Sequence, residues 1–374
     1  MTETRAARPD DAADEPVAAP ARASPRTERA VAVTLSEVAR AAGVSLATAS
    51  RAVNGSARKV RPDLHERVLA AAVSLGYSAN GPAQAMARGR TSVLGLVVHD
   101  IADPYFSTMA AGVVRAAEEH GLVVTIGTTG RDPVKEAQHV AALRGQRAAA
   151  VVVVGSRTGD APVQARLAEE VAAFEAAGGR AVLVSQESLP VDTVVVENER
   201  GADDLARALV GLGHRRFAVL AGPAGLLTAR DRLAGFRAGA RAAGAQVADD
   251  LVVHGDFTRD GGHAAMHGLL DAGFARGCVL AVNDVMAVGA MAALRERGVD
   301  LPGAVAVAGF DDISTLRDVT PALTTVRLPL QGIGEQAVHL LLDERPDGGH
   351  RTVRVAGEVV LRASTPDLGS RASS

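Results

Sequence analysis

Apolar side chains recur along this chain with two different textures, and the change from one to the other divides it. Between Thr34 and Leu75 the spacing is helical. Leu35, Val38, Ala39 and Ala42 stand at i, i+3, i+4 and i+7, which predicts one apolar face of a short helix. Thr34 and Glu37 fit a capping box, in which a hydroxyl and a carboxylate each satisfy a free backbone N–H. Gly43 follows where a left-handed residue is needed to stop the helix. Ser45 can cap a second helix with Ala49, Ala52 and Val53 turned inward. A third helix has Pro62 in its first turn, Leu64, Val68, Ala72 and Leu75 as its inner stripe, and Gly76 as its stop.

From Val93 onward, continuous apolar runs alternate with amphipathic stretches. VLGLVV, LVVTIG, AAVVVV and AVLVS are separated by predicted helices near residues 105–120, 133–144 and 162–177. A second set opens at TVVV and continues through RFAVLAG, LVVHGDF, CVLAVN and AVAVAGF, with helices near 199–212, 230–243, 261–272 and 284–297. Uniformly apolar strands between helices predict parallel sheets covered on both faces. Two sets in succession predict two doubly wound lobes with a cleft between them. LTTVRL, a helix near 330–342 and strands within 352–362 are left over, and are expected to cross back between the lobes.

Composition and charge then sharpen this division. The N-terminal 31 residues are rich in Arg, Asp, Ala and Pro without an apolar run, which predicts a disordered tail and not a signal peptide. The domains expected are therefore a tail over 1–31, a helical head over 32–78, a linker over 79–92, a two-lobed body over 93–362 and a disordered tail over 363–374. Within the linker, GPAQAMARGR is a short Ala-rich segment, too short to be a stable isolated helix. Of 374 residues, 47% are hydrophobic, enough for a large core, although there is no Trp and rings are few. A lone cysteine, Cys278, rules out an intramolecular disulfide and fits a reducing compartment. No stretch approaches the length of a membrane span, so a cytoplasmic protein without membrane partners is expected. Residues 32–92 hold eight Lys/Arg against three Asp/Glu, a net of +5; with −3 overall, the rest carries −8. A basic head on an acidic body implies a polyanion partner at one end only.

The second helix has an unusual outer face. Ala47, Ser50, Arg51 and Asn54 are short or hydrogen-bonding. A helix that enters a DNA major groove needs such a face: small residues permit close approach, and an arginine can bond guanine O6 and N7 together. An ordinary antiparallel helix pair would show the same inward pattern, so this stretch alone leaves both readings open.

Several further motifs, in order, bring in a resemblance. TLSEVARAAGVSLATASRAVNG and VRPDLHERVLAAAVSLGYSAN in the head, then GLVVHDIADPYF, LGHRRFAVLAGP, ARDRLAGF, VNDVMAVGAMAALRERG, LPGAVAVAGFDD and PALTTVRLPL in the body, are similar to the lactose-repressor (LacI/GalR) family of bacterial transcription regulators. The resemblance spans about Val33 to Leu361. It implies an all-α helix-turn-helix head joined to an α/β body whose two doubly wound lobes resemble periplasmic sugar-binding proteins. It places Leu46, Ala47 and Arg51 on base edges. Thr34, Ser45, Ser50 and Asn54 fall at phosphate-contacting or capping positions, and Tyr77 and Asn80 flank the hinge. PAQAMAR matches the hinge helix, with Ala83 and Met86 at the minor groove; Met86 stands where a leucine wedge is usual, and methionine can also unstack a base step.

In the body the resemblance implies a small effector between the lobes, a sugar first and a nucleobase as the alternative. Arg232 matches the effector-binding arginine, Asp311 the acid, Asn283 a polar contact and Phe257 a stacking ring. Asp103 and Phe106 lie at the rim, where asparagine is more usual than Asp103. Arg232 and Asp311 can also pair with each other in an empty cleft. Gln186 replaces an acid common in the family, and Glu197-Asn198 replaces Asp-Asn. The partners implied are double-stranded operator DNA, an effector and a second copy of the chain, without a cofactor. The polar C-terminus has no leucine heptad and implies a dimer, not a tetramer.

Enzyme readings find little to stand on. There is no G-x-x-x-x-G-K-[ST], no G-x-G-x-x-G after a strand and no G-x-S-x-G. His263 and His267 have metal-ligand spacing on a predicted helix, but no H-E-x-x-H glutamate or cysteine accompanies them, so a solvated face and no metal is expected. Asp311-Asp312 is better explained by binding than by acid–base work.

Overall fold

The head begins with α1 (Leu35–Ala42), whose N-terminus carries the predicted box: the Glu37 carboxylate accepts from the Thr34 N–H at 2.7 Å, and the Glu37 N–H donates to Thr34 Oγ1 at 3.4 Å. Gly43 takes φ +65°, and the Val44 N–H returns to the Ala39 carbonyl, closing the helix. Ser45 accepts from the Thr48 N–H at the start of α2 (Leu46–Asn54), and α3 (Pro62–Ser74) follows. Val38, Ala39, Ala42, Ala49, Ala52, Val68, Ala71 and Ala72 form the head's buried core. Leu75 departs from the expected stripe: it is exposed, and Ala71 takes the inward position, because α3 ends at Ser74 and the chain turns before Leu75 can face inward. The computed structural model describes residues 33–54, 60–77, 90–345 and 349–369. The candidate hinge residues Asn80, Ala83 and Met86 lie outside these, as does the side chain of Asn54.

The chain divides into two compact units, residues 1–80 and 81–374. The second is built on two parallel sheets. In the N-lobe, β1 (Val93–Val98), α4 (Pro104–Glu119), β2 (Val123–Thr128), α5 (Pro133–Gly145), β3 (Ala150–Val154), α6 (Ala161–Ala176), β4 (Arg180–Val184) and β5 (Asp192–Val196) alternate. The C-lobe continues with α7 (Asn198–Gly211), β6 (Arg216–Leu220), α8 (Leu227–Ala242), β7 (Gln246–Val253), α9 (Arg259–Asp271), β8 (Gly277–Ala281), α10 (Asp284–Glu296) and β9 (Val305–Ala308). The remainder is β10 (Thr325–Arg327), α11 (Leu330–Leu342), β11 (Thr352–Val355) and β12 (Glu358–Val360). The N-lobe sheet runs β11-β5-β4-β3-β1-β2 and the C-lobe sheet β7-β6-β8-β9, all pairs parallel, while β10 and β12 form an antiparallel pair. The leftover segments do cross between lobes: α11 packs on α4, and β11 joins β5 in the N-lobe before β12 returns to β10.

Three expectations need correction. TVVV does not open the second lobe: β5 pairs with β4, with Val182 opposite Asp192, and the chain crosses only at Glu197. An apolar run reads alike in either sheet; its partner is settled by the short β4–β5 connection. HGDF is not strand, since β7 ends at Val253 and Phe257 sits in the loop beyond. The residues after 363 do not begin a disordered tail. Ser364 and Thr365 are buried, Ser364 Oγ donates to the Val307 carbonyl at 2.6 Å, and the Leu368 N–H donates to Leu212 at 2.8 Å. Polar side chains with partners on the C-lobe are anchored, not free. Among the described residues, no helix is long and apolar enough to cross a membrane.

Candidate functional site

In the head, the packing of Ala49 and Ala52 against α1 and α3 turns the opposite face of α2 outward. Leu46 is 51% exposed, Ala47 and Arg51 are exposed, and Ser50 is half-buried. Thr34 and Ser45 both serve as helix caps. Tyr77 does not project freely; its ring packs against the head core and its N–H donates to the Ala72 carbonyl.

In the body, the carboxyl ends of both sheets face one shared cavity. Open α/β sheets bind ligands just beyond their strand ends, because loops diverge there and helix N-termini converge. All six residues assigned to the cleft, Asp103, Phe106, Arg232, Phe257, Asn283 and Asp311, line this one cavity. Asp103 caps α4, accepting from the Tyr105 N–H at 3.0 Å, and Asn283 caps α10, accepting from the Met286 N–H at 2.9 Å. Each cap fixes the side chain that it orients toward the cleft.

Arg232 is the most tightly held group. Only 2% exposed, it donates from Nε to Asn198 Oδ1 at 2.8 Å, from Nη1 to the Val282 carbonyl at 2.7 Å and from Nη2 to Asp311 Oδ1 at 2.8 Å. Its guanidinium lies 3.8 Å from the centre of the Phe310 ring. A guanidinium has five N–H donors, so two remain after these three bonds to meet a ligand. Asp311, 4% exposed, has φ +120°, and Asp312 beside it has φ +55°. Two consecutive non-glycine residues at positive φ are costly, and such strain collects at functional sites. It splits the pair: Asp311 faces the cavity, while Asp312 bonds Arg327 and Arg362 on the returning strands. Burial raises the Asp311 carboxyl to about 8 despite the opposing pull of Arg232, with Asp284 adding to the rise. Asp284, also buried and raised to about 6, accepts from Thr325 Oγ1 and the Ile313 N–H.

Sequence reasoning missed Tyr105, Arg131 and His99 on the N-lobe wall. Tyr105 stands edge-on to Phe106 at 5.0 Å, and burial raises its phenol well above the ordinary range. DPYF was the available pointer, since a rim at Asp103 and Phe106 encloses Tyr105. Arg131 reaches across the cleft, donating to the Phe257 carbonyl at 2.9 Å with its guanidinium over that ring at 5.6 Å. Burial raises Asp103 against the opposing pull of the Tyr105 N–H and of Arg131. Behind the cavity, Glu136 accepts two bonds from Arg157 at 2.7 and 2.8 Å and stands 3.3 Å from His99 Nε2. Burial opposes ionisation of Glu136, yet His99 and Arg157 together hold it below the usual carboxylate range.

Further bonds tie the lobes together. The Thr228 N–H donates to Ser156 Oγ and the Leu227 N–H to the Arg157 carbonyl, both at 2.9 Å. Gln186 accepts from the Arg157 N–H and donates to Thr228 Oγ1, also at 2.9 Å. Gln186 does not line the cavity; it bridges the two lobes. Asn198 acts indirectly, as the acceptor that aims Arg232.

Comparisons agree with this geometry on both units. Residues 34–80 match the model of the lacI family of bacterial regulatory proteins, and residues 206–365 match a periplasmic binding protein-like domain. The chain is 35% identical over 318 residues to the HTH-type transcriptional regulator GalR of Escherichia coli K12, covering 84% of this chain and 90% of that protein. It is similar to the structure of the transcriptional regulator CelR–cellobiose complex, with 31% identity and a TM-score of 0.65 over 89% of this chain and 99% of that one. A structure of the lac repressor dimer bound to operator and the anti-inducer ONPF gives 27% identity and a TM-score of 0.76, covering 90% and 100%.

Proposed function

The chain belongs to the lacI family of bacterial regulatory proteins, and from that premise we propose that it is a cytoplasmic, homodimeric repressor that binds a palindromic operator and is switched by a sugar held between its lobes. The observation that carries the sugar reading is the Arg232–Asp311 pair facing the cavity. A guanidinium with two N–H groups to spare and a carboxyl group can each grip adjacent hydroxyls, while Phe257 offers a ring to the apolar face of a pyranose. Relatives support the class: CelR has been solved with cellobiose, and the lac repressor as a dimer on its operator.

On DNA, the two-fold symmetry of a dimer is mirrored in a palindromic site. Arg51, with Leu46 and Ala47, reads bases, while Thr34, Ser45, Ser50 and Asn54 contact phosphates or cap helices. Tyr77 and Asn80 flank the hinge segment, in which Ala83 and Met86 enter the minor groove. The effector acts by binding one arrangement of the lobes more tightly than the other, since only differential affinity can shift the equilibrium.

The test uses the full chain. A thermal-shift screen with mono- and disaccharides beside nucleobases should raise the melting midpoint with at least one sugar. That sugar should then change affinity for a palindrome from the chain's own promoter, measured by fluorescence anisotropy. Stabilisation by nucleobases alone would overturn the sugar reading, and indifference to every such palindrome would overturn operator binding. Affinity should also fall steeply as salt rises, because phosphate contacts release counterions.

A further inference from the structure

We propose that His263, His267 and Glu296 form a binding site for a borderline divalent metal ion, zinc foremost, that clips α9 to α10. The two histidines stand one turn apart on α9, with ring centres 4.6 Å apart. Their Nε2 atoms converge on one oxygen, Oε2 of Glu296, at 2.8 Å from His263 and 3.3 Å from His267. Glu296 is the last residue of α10, and it reaches the histidines because the two helices pack backbone to backbone. A Cβ on Gly289 would stand 1.9 Å from the Arg259 carbonyl oxygen, and one on Gly262 would stand 2.2 Å from that of Met286. Both glycines are thus obligatory for the approach that assembles the cluster.

The three ligand atoms lie within 4.8 Å of one another. Bonds of about 2.0–2.1 Å from a tetrahedral zinc ion place neighbouring ligand atoms roughly 3.3 Å apart, so little movement is needed to admit one. Two neutral imidazoles and a carboxylate suit zinc and its neighbours in the transition series, whereas magnesium and calcium prefer oxygen throughout. Partial exposure of all three side chains gives the ion a way in, and water completes the shell. The clip also has a connection to the cleft: Phe257 immediately precedes the cap of α9, and Asn283 caps α10.

The chelator-treated full chain should bind Zn²⁺ in isothermal titration and gain thermal stability from it, while Mg²⁺ at the same concentration does neither. His263→Ala, His267→Ala and Glu296→Gln should each weaken binding at least about tenfold, the lower end of what loss of even an outer-shell partner costs. Metal-free melting midpoints near that of the unsubstituted chain show that the variants fold. Unchanged zinc affinity in H263A/H267A overturns the proposal, as does an equal response to Mg²⁺. Co²⁺ supplies a reading that needs no variant: intense visible bands of a four- or five-coordinate ion support the site, and only the weak spectrum of the hydrated ion overturns it.

Discussion

The head and the body solve opposite problems with their functional side chains. In the head, the buried set among the described residues consists of alanine and valine, and the groups assigned to DNA, Leu46, Ala47 and Arg51, stand in solvent. In the body, four of the six groups assigned to the effector, Phe106, Arg232, Asn283 and Asp311, are buried and Asp103 and Phe257 are half-buried, and Arg232 is among the largest side chains buried there. An exposed arginine costs the fold little and is free to meet a partner. A buried one must be satisfied internally before any ligand arrives, and the three acceptors around Arg232 are that satisfaction. The same residue type therefore stands exposed in the head and is held by internal acceptors in the body.

The sharpest way to break this comparison is Arg232→Ala. It strips the donor from three buried acceptors and opens space above Phe310, so stability should fall by about 3–5 kcal/mol, together with loss of effector response. Denaturant unfolding of the full chain checks the first and anisotropy on operator with added sugar checks the second. A variant of normal stability and normal response would show that the arginine is no more committed than a surface one. Asp311→Asn probes the same pair by pH. The folded carboxyl titrates near 8, above its unfolded value, so its contribution to stability is complete in acid and is lost as pH rises toward about 8. The asparagine variant should lack this decline in melting midpoint, and parallel pH profiles for the two proteins would contradict the burial effect.

Arg51→Ala is the counterpart in the head, smaller in consequence and different in kind. Operator discrimination should fall by roughly 1–3 kcal/mol at one base pair, while the melting midpoint and effector affinity stay unchanged. Competition between operators altered one position at a time measures it. An undiminished preference at every position would remove Arg51 from the readout.

How legible each region was follows from the same contrast. The head could be read nearly to the residue, because capping boxes, glycine stops and helical periodicity are local; Thr34, Glu37 and Gly43 stand as their spacing predicts. The apolar runs of the body predict two parallel sheets, yet they do not say that TVVV belongs to the first, since which sheet a strand joins is a tertiary matter. The motif residues of the cleft line one cavity, but the reach of Arg131 to Phe257 and the bond of Gln186 to Thr228 depend on both lobes being in place. The metal-like His263/His267 spacing was visible, whereas its third member, Glu296, lies 29 residues from the nearer histidine. The order at Ser364 and Thr365 is not legible in the sequence because their partners, Val307 and Thr324, are distant in the chain.

The smallest effect concerns how the lobes meet, and it refines the comparison by showing whether burial in the body depends on closure. Gln186 joins an N-lobe backbone N–H, that of Arg157, to the hydroxyl of Thr228 on the C-lobe. Gln186→Ala removes that interlobe link while leaving the cavity wall intact, because Gln186 does not line the cavity. If closure accompanies effector binding, the loss of the bond to Thr228, about 0.5–1.5 kcal/mol, with the longer one to Asp231 Oδ2 at 3.4 Å adding little, should weaken effector affinity roughly 2- to 10-fold. Calorimetric titration with the sugar found in the thermal screen measures the change. Affinity equal to that of the unsubstituted chain would mean that the Arg232–Asp311 grip alone holds the ligand and that closure contributes nothing to it. A loss near the level of Arg232→Ala would mean instead that the pair is in register with a ligand only when the lobes are tied.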